Sequence, residues 1–246
     1  LGEITDEMIK EFNASQDKYE VKGVYKGNYD EAMTAAIAAF RAKQHPNLIQ
    51  IFEVGTASMM AAKGAIRPVY EIMEAAGTPV DTSKLLGSVA SYYSSTAGKL
   101  AKDTVVNMGG YTFSIMSFNA STTVLYYNKD AVKKAGGDPD HFPTTWPEVA
   151  ELAKKIKESG ACKYGLTSGW QSWVQLESFS AWHNVPFATN NNGYDGLDTK
   201  LLFNSPLHVK HIDNLAQAAK NGEFVYKGRG STAQASFVAG ECAMIQ

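Results

Sequence analysis

Apolar and polar residues change period along the chain, and these changes predict an alternation of strands and helices. Residues 19–25 (YEVKGVY) and 48–52 (LIQIF) are short runs rich in β-branched and aromatic residues, which predicts two strands. The Ala-rich run between them follows Asn28 and Glu31, which have capping-box spacing, so it predicts a helix that ends near Ala42. A strand, a helix and a second strand of these lengths predict a parallel crossover unit.

The same alternation returns in the second half of the chain. A helix is predicted to begin after Thr145, with Glu148 at the capping-box position, and to end before Gly160. Its apolar positions recur at helical spacing and predict one buried face: Val149, Leu152, Ala153 and Ile156. Strands are predicted at residues 163–168 (KYGLTS) and at the end of the chain, where a helix and a Gly turn precede CAMIQ. The whole pattern predicts an α/β fold with open sheets flanked by helices.

The length of the chain, 246 residues, favours two lobes over one. Residues 111–130 alternate apolar and small polar side chains through two extended runs, which indicates a connection between lobes. We therefore expect lobe one at residues 1–118 and lobe two at residues 119–246. The first helix has no preceding strand and the last strand stops early, so we expect a chain that is incomplete at both ends.

Charge and hydropathy exclude two classes of partner. The chain has 23 basic and 25 acidic residues, a formal net charge of −2, and so no excess positive charge to hold nucleic acid or an anionic membrane. No apolar stretch approaches the roughly 20 residues that a membrane-spanning helix needs. Composition therefore predicts a globular protein whose anionic ligands, if any, are bound locally.

Catalytic and metal-binding patterns are weak. His208 and His211 are three residues apart on a predicted helix, without the cysteines or the HExxH pattern of a zinc site, and we expect them on a solvated face. The sequence contains neither a GxSxG elbow nor a complete phosphate-binding loop. We therefore predict no catalytic residue, no metal and no cofactor.

Candidate ligand-binding residues follow the predicted strands. Tyr29 comes after the first strand and Glu53 directly after the second, and ligands of open parallel sheets collect beyond the carboxyl ends of strands. Trp170 and Trp173 lie beyond the KYGLTS strand, where two indoles can form a stacking wall. Trp170 is the better candidate because Gly169 allows close approach of a ligand. The alternatives are that Tyr29 packs on the helix start, that Glu53 is a solvated loop acid, and that both indoles are core anchors.

Cys162 and Cys242 flank two predicted strands of the second half. In an extracytoplasmic protein they could form a disulfide that closes a long loop. The alternative is two buried thiols, and the sequence slightly favours the thiols.

Several motifs resemble one family closely: YKGNY, FEVGTASMMA, FNASTTVLYYNKDA, GWQSW and GECAM. They resemble the glycerol-phosphate receptors of bacterial ABC importers, within the maltose-binding-protein-like extracellular solute-binding proteins. This resemblance implies a two-lobed periplasmic binding protein (type II, Venus-flytrap) that closes on a small-molecule ligand as a monomer and delivers it to permease subunits. It also implies a periplasmic location and no enzymatic activity.

The resemblance assigns four ligand positions: Tyr29 of YKGNY, Glu53 of FEVGT, Ser121 of FNAST and Trp170 of GWQSW. They would hold sn-glycerol 3-phosphate or a glycerophosphodiester, with the acid accepting from glycerol hydroxyls and the hydroxyl groups donating to phosphate oxygens. Ser117 and Thr123 stand where prolines are expected, which predicts a more flexible hinge. Two alternatives remain, a sugar or oligosaccharide receptor of the same fold and, less favoured, a glycerophosphodiester hydrolase.

Overall fold

The first half of the chain contains helices joined by irregular segments. The computed structural model describes residues 2–52, 67, 69–87, 94–95, 112–113, 121–193 and 198–246. Helix α1 covers Gly2–Ser15, α2 covers Tyr29–Arg41 and α3 covers Val69–Ala75, followed by a 3₁₀ turn at Thr82–Lys84. Strand β1 (Ser94–Ser95) pairs antiparallel with β2 (Thr112–Phe113).

The capping box of α2 is confirmed. The Asn28 side chain accepts from the Glu31 N–H at 3.0 Å, and the Glu31 carboxylate accepts from the Asn28 N–H at 2.8 Å. Because both bonds satisfy N–H groups that a helix start would otherwise leave unpaired, the helix begins at Tyr29. The sequence also predicts a helix that starts near Thr56, and that stretch lies outside the described residues.

The prediction of two strands beside α2 is wrong for the described part of the chain. Neither residues 19–25 nor residues 48–52 form a ladder with any described strand. The backbone hydrogen-bonding groups of Val21 have a side-chain partner instead. The Val21 N–H donates to Asn13 Oδ1 at 2.8 Å, and the Val21 carbonyl accepts from Asn13 Nδ2 at 2.9 Å. A side-chain amide thus occupies the positions that a neighbouring strand would take.

The second half forms a four-stranded mixed sheet with helices around it. Its strands are β3 (Tyr126–Tyr127), β4 (Tyr164–Ser168), β5 (Phe224–Tyr226) and β6 (Cys242–Ile245), in the order β3-β6-β4-β5. Strands β4, β5 and β6 run parallel, and β3 pairs antiparallel with β6. The right-handed helices are α4 (Lys129–Lys134), α5 (Trp146–Glu158), α6 (Phe179–Trp182), α7 (Pro206–Lys220) and α8 (Thr232–Val238), and a short turn with left-handed residues covers Thr189–Asn192. A π-helical turn at Trp173–Ser178 leads into α6.

Helix α5 packs on the sheet through the apolar face that the sequence predicts. Val149, Leu152, Ala153 and Ile156 are all buried and join Leu166 and Met244 in one core cluster. At Gly165 an added Cβ would overlap the backbone of Ala153, so only glycine permits this close approach of helix and strand. The predicted α/β architecture of the second half is therefore confirmed.

The prediction that His208 and His211 lie on a solvated face is wrong, since both imidazoles are buried on α7. His208 Nε2 lies 2.8 Å from Ser180 Oγ, and its Nδ1 lies 2.6 Å from Ser205 Oγ. The ring of His211 stacks on Phe179, with centroids 4.0 Å apart. Ser205 is the N-cap of the same helix, whereas Ser180 and Phe179 come from a distant part of the chain that histidine spacing does not reveal. These partners make burial of a polar ring tolerable. Within the described ranges, no helix is long and apolar enough to cross a membrane.

Candidate ligand-binding cleft

The carboxyl ends of three parallel strands meet at one edge of the sheet. Leu166 of β4 pairs with Phe224 of β5 and with Met244 of β6, so these strands end side by side. Strand β3 enters from the same edge, because Tyr126 pairs antiparallel with Ile245. The segment that contains exposed Ser121 therefore arrives at the edge where Gly169 and Trp170 leave it. This edge is where an open α/β sheet binds ligands.

Trp170 has a strained backbone and a half-exposed indole. Its φ is 46°, in the left-handed region that bulky residues rarely adopt, and 40% of its surface is exposed. Its carbonyl accepts from the Val174 N–H at 2.9 Å. The preceding residue, Gly169, is buried so closely against the next loop that an added Cβ would lie 3.0 Å from the Gly230 carbonyl oxygen. The turn therefore holds a large aromatic ring at the sheet edge, at a cost in backbone strain that the surrounding contacts must offset.

Trp173 is half-buried at the start of the π-helical turn. Wide π turns are rare and are often found at functional sites. The choice between ligand wall and core anchor for Trp173 stays open. The neighbouring Gln171 was missed by sequence reasoning: its Oε1 is buried and has no donor among the described residues, which leaves it able to accept from a ligand.

Tyr29 lies at the first position of α2 and is 37% exposed. Its ring packs against Phe52 at a centroid distance of 5.5 Å. Glu53 follows Phe52 directly and lies outside the described residues. The contact places Tyr29 beside Phe52, and a shared ligand site of Tyr29 and Glu53 stays a prediction.

One loop connects the Tyr29 region with the Trp170 turn. Arg229, between β5 and α8, makes an ion pair with Asp30 of α2, with Nη1 and Oδ2 3.2 Å apart. Its neighbour Gly230 is the residue whose carbonyl oxygen a Cβ on Gly169 would approach to 3.0 Å. Residues 29–30 and residues 169–170 therefore approach the same short loop from the two halves of the chain. This convergence forms the candidate cleft.

Sequence reasoning missed Arg229. The available signal was its position between Gly228 and Gly230, directly after a strand at the ligand edge. The other cation of the loop, Lys227, pairs within the second half: its Nζ lies 2.9 Å from Glu241 Oε2, and this hydrogen bond raises the pKa of Lys227 and lowers that of Glu241. Arg229 is therefore the loop cation that contacts the first half.

Other candidate sites have little support. No cluster of three metal-ligating side chains occurs among the residues that the structure describes. Cys162 and Cys242 are free thiols, so the disulfide alternative is not supported. An apolar groove of about 370 Å³ lies between α5 and α7, lined by residues such as Trp146, Leu215 and Phe224, but none of the predicted ligand residues lines it.

Comparison with known proteins places the whole chain in one family. The sequence matches the profile of the bacterial extracellular solute-binding proteins over residues 1–246. It is 49% identical over 244 residues to the sn-glycerol-3-phosphate-binding periplasmic protein UgpB of Brucella abortus (strain 2308), covering 99% of this chain and 53% of that protein. It is 47% identical over 245 residues to UgpB of Escherichia coli (strain K12), covering 99% and 52%. The chain thus spans about half the length of these relatives.

Solved structures show the same fold at low sequence identity. UgpB from Mycobacterium tuberculosis, in complex with glycerophosphocholine, matches with a TM-score of 0.69 at 19% identity, covering 98% of this chain and 57% of that one. The GacH receptor of Streptomyces glaucescens matches with a TM-score of 0.68 at 17% identity, covering 98% and 55%. The predicted fold class, that of two-lobed periplasmic binding proteins, is confirmed, and so is the resemblance predicted from the motifs. The chain belongs to the bacterial extracellular solute-binding protein family.

Proposed function

We propose that this chain is part of a solute receptor of an ABC importer that binds sn-glycerol 3-phosphate, glycerophosphodiesters or both. The relatives at 47–49% identity carry the first of these ligands in their name, and the solved relative carries a glycerophosphodiester. The observation that carries the proposal is the convergence of the Asp30–Arg229 contact and the Gly169–Gly230 contact on one loop. It supports a cleft between the proposed lobes, residues 1–118 and 119–246.

The proposed site residues suit a small polyol phosphate. The hydroxyl groups of Tyr29 and Ser121 would donate to phosphate oxygens, and Glu53 would accept from glycerol hydroxyls. The indole of Trp170, with Trp173 behind it, would cover the CH face of the ligand. Closure of the lobes would remove water from these contacts and strengthen each of them.

The rest of the proposal concerns the cellular context. A receptor of this kind would act in the periplasm as a monomer and deliver its ligand to transmembrane permease subunits. It would carry no catalytic activity, no cofactor and no bound nucleic acid. Membership of the solute-binding family supports a receptor over the hydrolase alternative.

A sugar receptor is the second candidate. Two further structures with this fold, with TM-scores of 0.53 and 0.61, are a cyclic alpha-maltosyl-1,6-maltose binding protein and a maltose-bound MalE3. Aromatic walls such as Trp170 and Trp173 also suit sugar rings. The much higher identity of the glycerol-phosphate receptors favours the first candidate.

Calorimetric titration of the full-length protein with sn-glycerol 3-phosphate, glycerophosphocholine and maltose tests the proposal. Tight binding of a glycerol phosphate that Trp170→Ala or Glu53→Ala weakens severely is the expected result. Trp182→Ala is the matched control, because its indole is 47% exposed and stacks on Trp146 rather than bordering the Gly169 turn. Binding of maltose alone would instead support the sugar receptor, and failure of a folded protein to bind any glycerol phosphate would refute the proposal.

A further inference from the structure

A buried glutamine lies behind the Trp170 turn. Gln175 is 2% exposed and belongs to the π-helical turn. Its Nε2 donates to Ser168 Oγ at 2.9 Å and to Gln246 Oε1 at 3.1 Å. Its Oε1 accepts from His211 Nε2 at 2.9 Å. Three elements, the ends of β4 and β6 and the helix α7, are thus joined through one side-chain amide.

The two acceptors of Gln175 flank the backbone of the turn. Ser168 directly precedes Gly169, and its hydroxyl also donates to the Gly169 carbonyl at 3.2 Å. On the other side, the Gly169 N–H donates to the Gln246 carbonyl at 3.2 Å. Gln175 therefore fixes the side chains of Ser168 and Gln246, the two residues that bond to the backbone of Gly169. The backbone path of Trp170 depends in turn on Gly169.

A strained turn needs such support. With φ at 46°, Trp170 would relax to a commoner backbone conformation if the contacts around Gly169 were loosened. The π turn is what brings Gln175 to this place, because the wider spacing changes which side chains face the sheet end. The amide is also fully used: both donor hydrogens and the carbonyl oxygen have partners.

We propose that Gln175 is a positioning residue of the binding site: it holds the Gly169–Trp170 turn so that the indole is already placed to cover a glycerol phosphate before the ligand arrives. This inference rests on the proposed function, in which Trp170 contacts the ligand. Such preorganisation lowers the cost of ordering the site during binding.

The test uses Gln175→Met in the full-length protein, since methionine has a similar length and flexibility but no amide. Ser180→Ala is the matched control. It removes a buried hydroxyl from α6, directly after the π-helical turn, and this hydroxyl contacts His208 and not Ser168. We expect Gln175→Met to raise the Kd for sn-glycerol 3-phosphate by about tenfold or more, and Ser180→Ala to leave it unchanged at a similar loss of thermal stability. In a Trp170→Ala background, Gln175→Met should have no further effect on Kd.

A readout without ligand separates this inference from the proposed function. Amide hydrogen exchange of residues 168–174 should be faster in Gln175→Met than in the wild type or in Ser180→Ala. Unchanged exchange in this segment would overturn the positioning role, and so would a Kd shift that persists in the Trp170→Ala background. If the wild-type protein binds no glycerol phosphate, the proposed function fails, and the exchange measurement still decides the role of Gln175 in the turn.

Discussion

Arg229 Nη1 lies 3.2 Å from Asp30 Oδ2, and the two residues come from the two halves of the chain that the sequence assigns to different lobes. Both side chains are well exposed, 75% for the arginine and 61% for the aspartate. Exposed ion pairs contribute little to folding stability. A pair that joins two lobes can nevertheless add to ligand affinity, because it favours the closed arrangement to which the ligand binds.

The first prediction concerns this ion pair. Asp30→Asn and Arg229→Gln should each weaken ligand binding by about two- to fivefold at low salt, and the double variant should lose no more than either single one. The loss should fade as ionic strength is raised, because salt screens exposed charges. Calorimetric titration at several salt concentrations measures both effects.

The control is Glu241→Gln, which removes the loop ion pair with Lys227 inside the second half. It should leave affinity unchanged. Equal losses from Glu241→Gln and Arg229→Gln, or fully additive losses at Asp30 and Arg229, would contradict a contact between lobes.

The second prediction compares two buried threonines. Thr123 Oγ1 is buried without a partner among the described residues, whereas Thr167 Oγ1 donates to the Val225 carbonyl at 2.8 Å. Thr123→Val should therefore raise the free energy of unfolding by about 1 kcal/mol, and Thr167→Val should lower it by about 1 to 3 kcal/mol. Urea denaturation of both variants checks the opposite signs. A loss of stability in Thr123→Val would show that its hydroxyl has a partner in solution.

Thr123 also tests the hinge predicted from the sequence. Ser117, its counterpart, lies outside the described residues, so the hinge stays a prediction. If the hinge is flexible because Ser117 and Thr123 replace prolines, introducing proline at both positions should change ligand affinity in the full-length protein. Unchanged affinity would remove that explanation.

Local signals predicted the helices well because their causes are local. The bonds between Asn28 and Glu31 depend only on residues three apart, so the spacing alone predicted the start of α2. The buried face of α5 was predicted for the same reason, since positions such as Leu152 and Ile156 are one helical turn apart. Boundaries set within one turn of the chain are visible in a single sequence.

Distant partners explain what sequence reasoning missed. Residues 19–25 have a strand-like pattern, but the amide of Asn13 satisfies Val21, and no periodicity reveals that competitor. His208 is buried against Ser180, which comes from elsewhere in the chain, and against Ser205, the N-cap of its own helix. The position of Trp170 at the sheet edge could be predicted from its place after a strand, whereas the position of Arg229 depends on its contact with Asp30, 199 positions away in sequence.

The third prediction concerns the cysteines. Burial raises the pKa of Cys242 to about 11 and also raises that of Cys162, so both remain thiols at neutral pH and react slowly. Intact-mass measurement after alkylation in denaturant without reductant should show two labelled thiols. Added reductant should leave the thermal unfolding temperature unchanged. A mass that corresponds to an intact disulfide would contradict the structure and restore the alternative predicted from the sequence.

The fourth prediction is a pH dependence of stability that arises at His211. Burial lowers the pKa of His211 to about 4, with smaller contributions in the same direction from the charges of His183 and His208. An unfolded histidine titrates near 6.5, so between about pH 6.5 and 4 the unfolded chain binds a proton that the folded chain does not. The free energy of unfolding should therefore fall as pH decreases through this window, by up to about 3 kcal/mol from this residue.

The substitution His211→Gln separates the effect of titration on stability from the effect of the hydrogen bond. The new side chain keeps an N–H donor for Gln175 but cannot take up a proton. The variant should show a shallower loss of stability between pH 6.5 and 4 than the wild type, when urea unfolding is measured at half-unit steps. His45→Gln, a substitution of an exposed histidine in the first half, is the control variant. Parallel curves for the wild type and His211→Gln would mean that the buried imidazole takes up its proton without unfolding, for instance by turning its ring toward solvent.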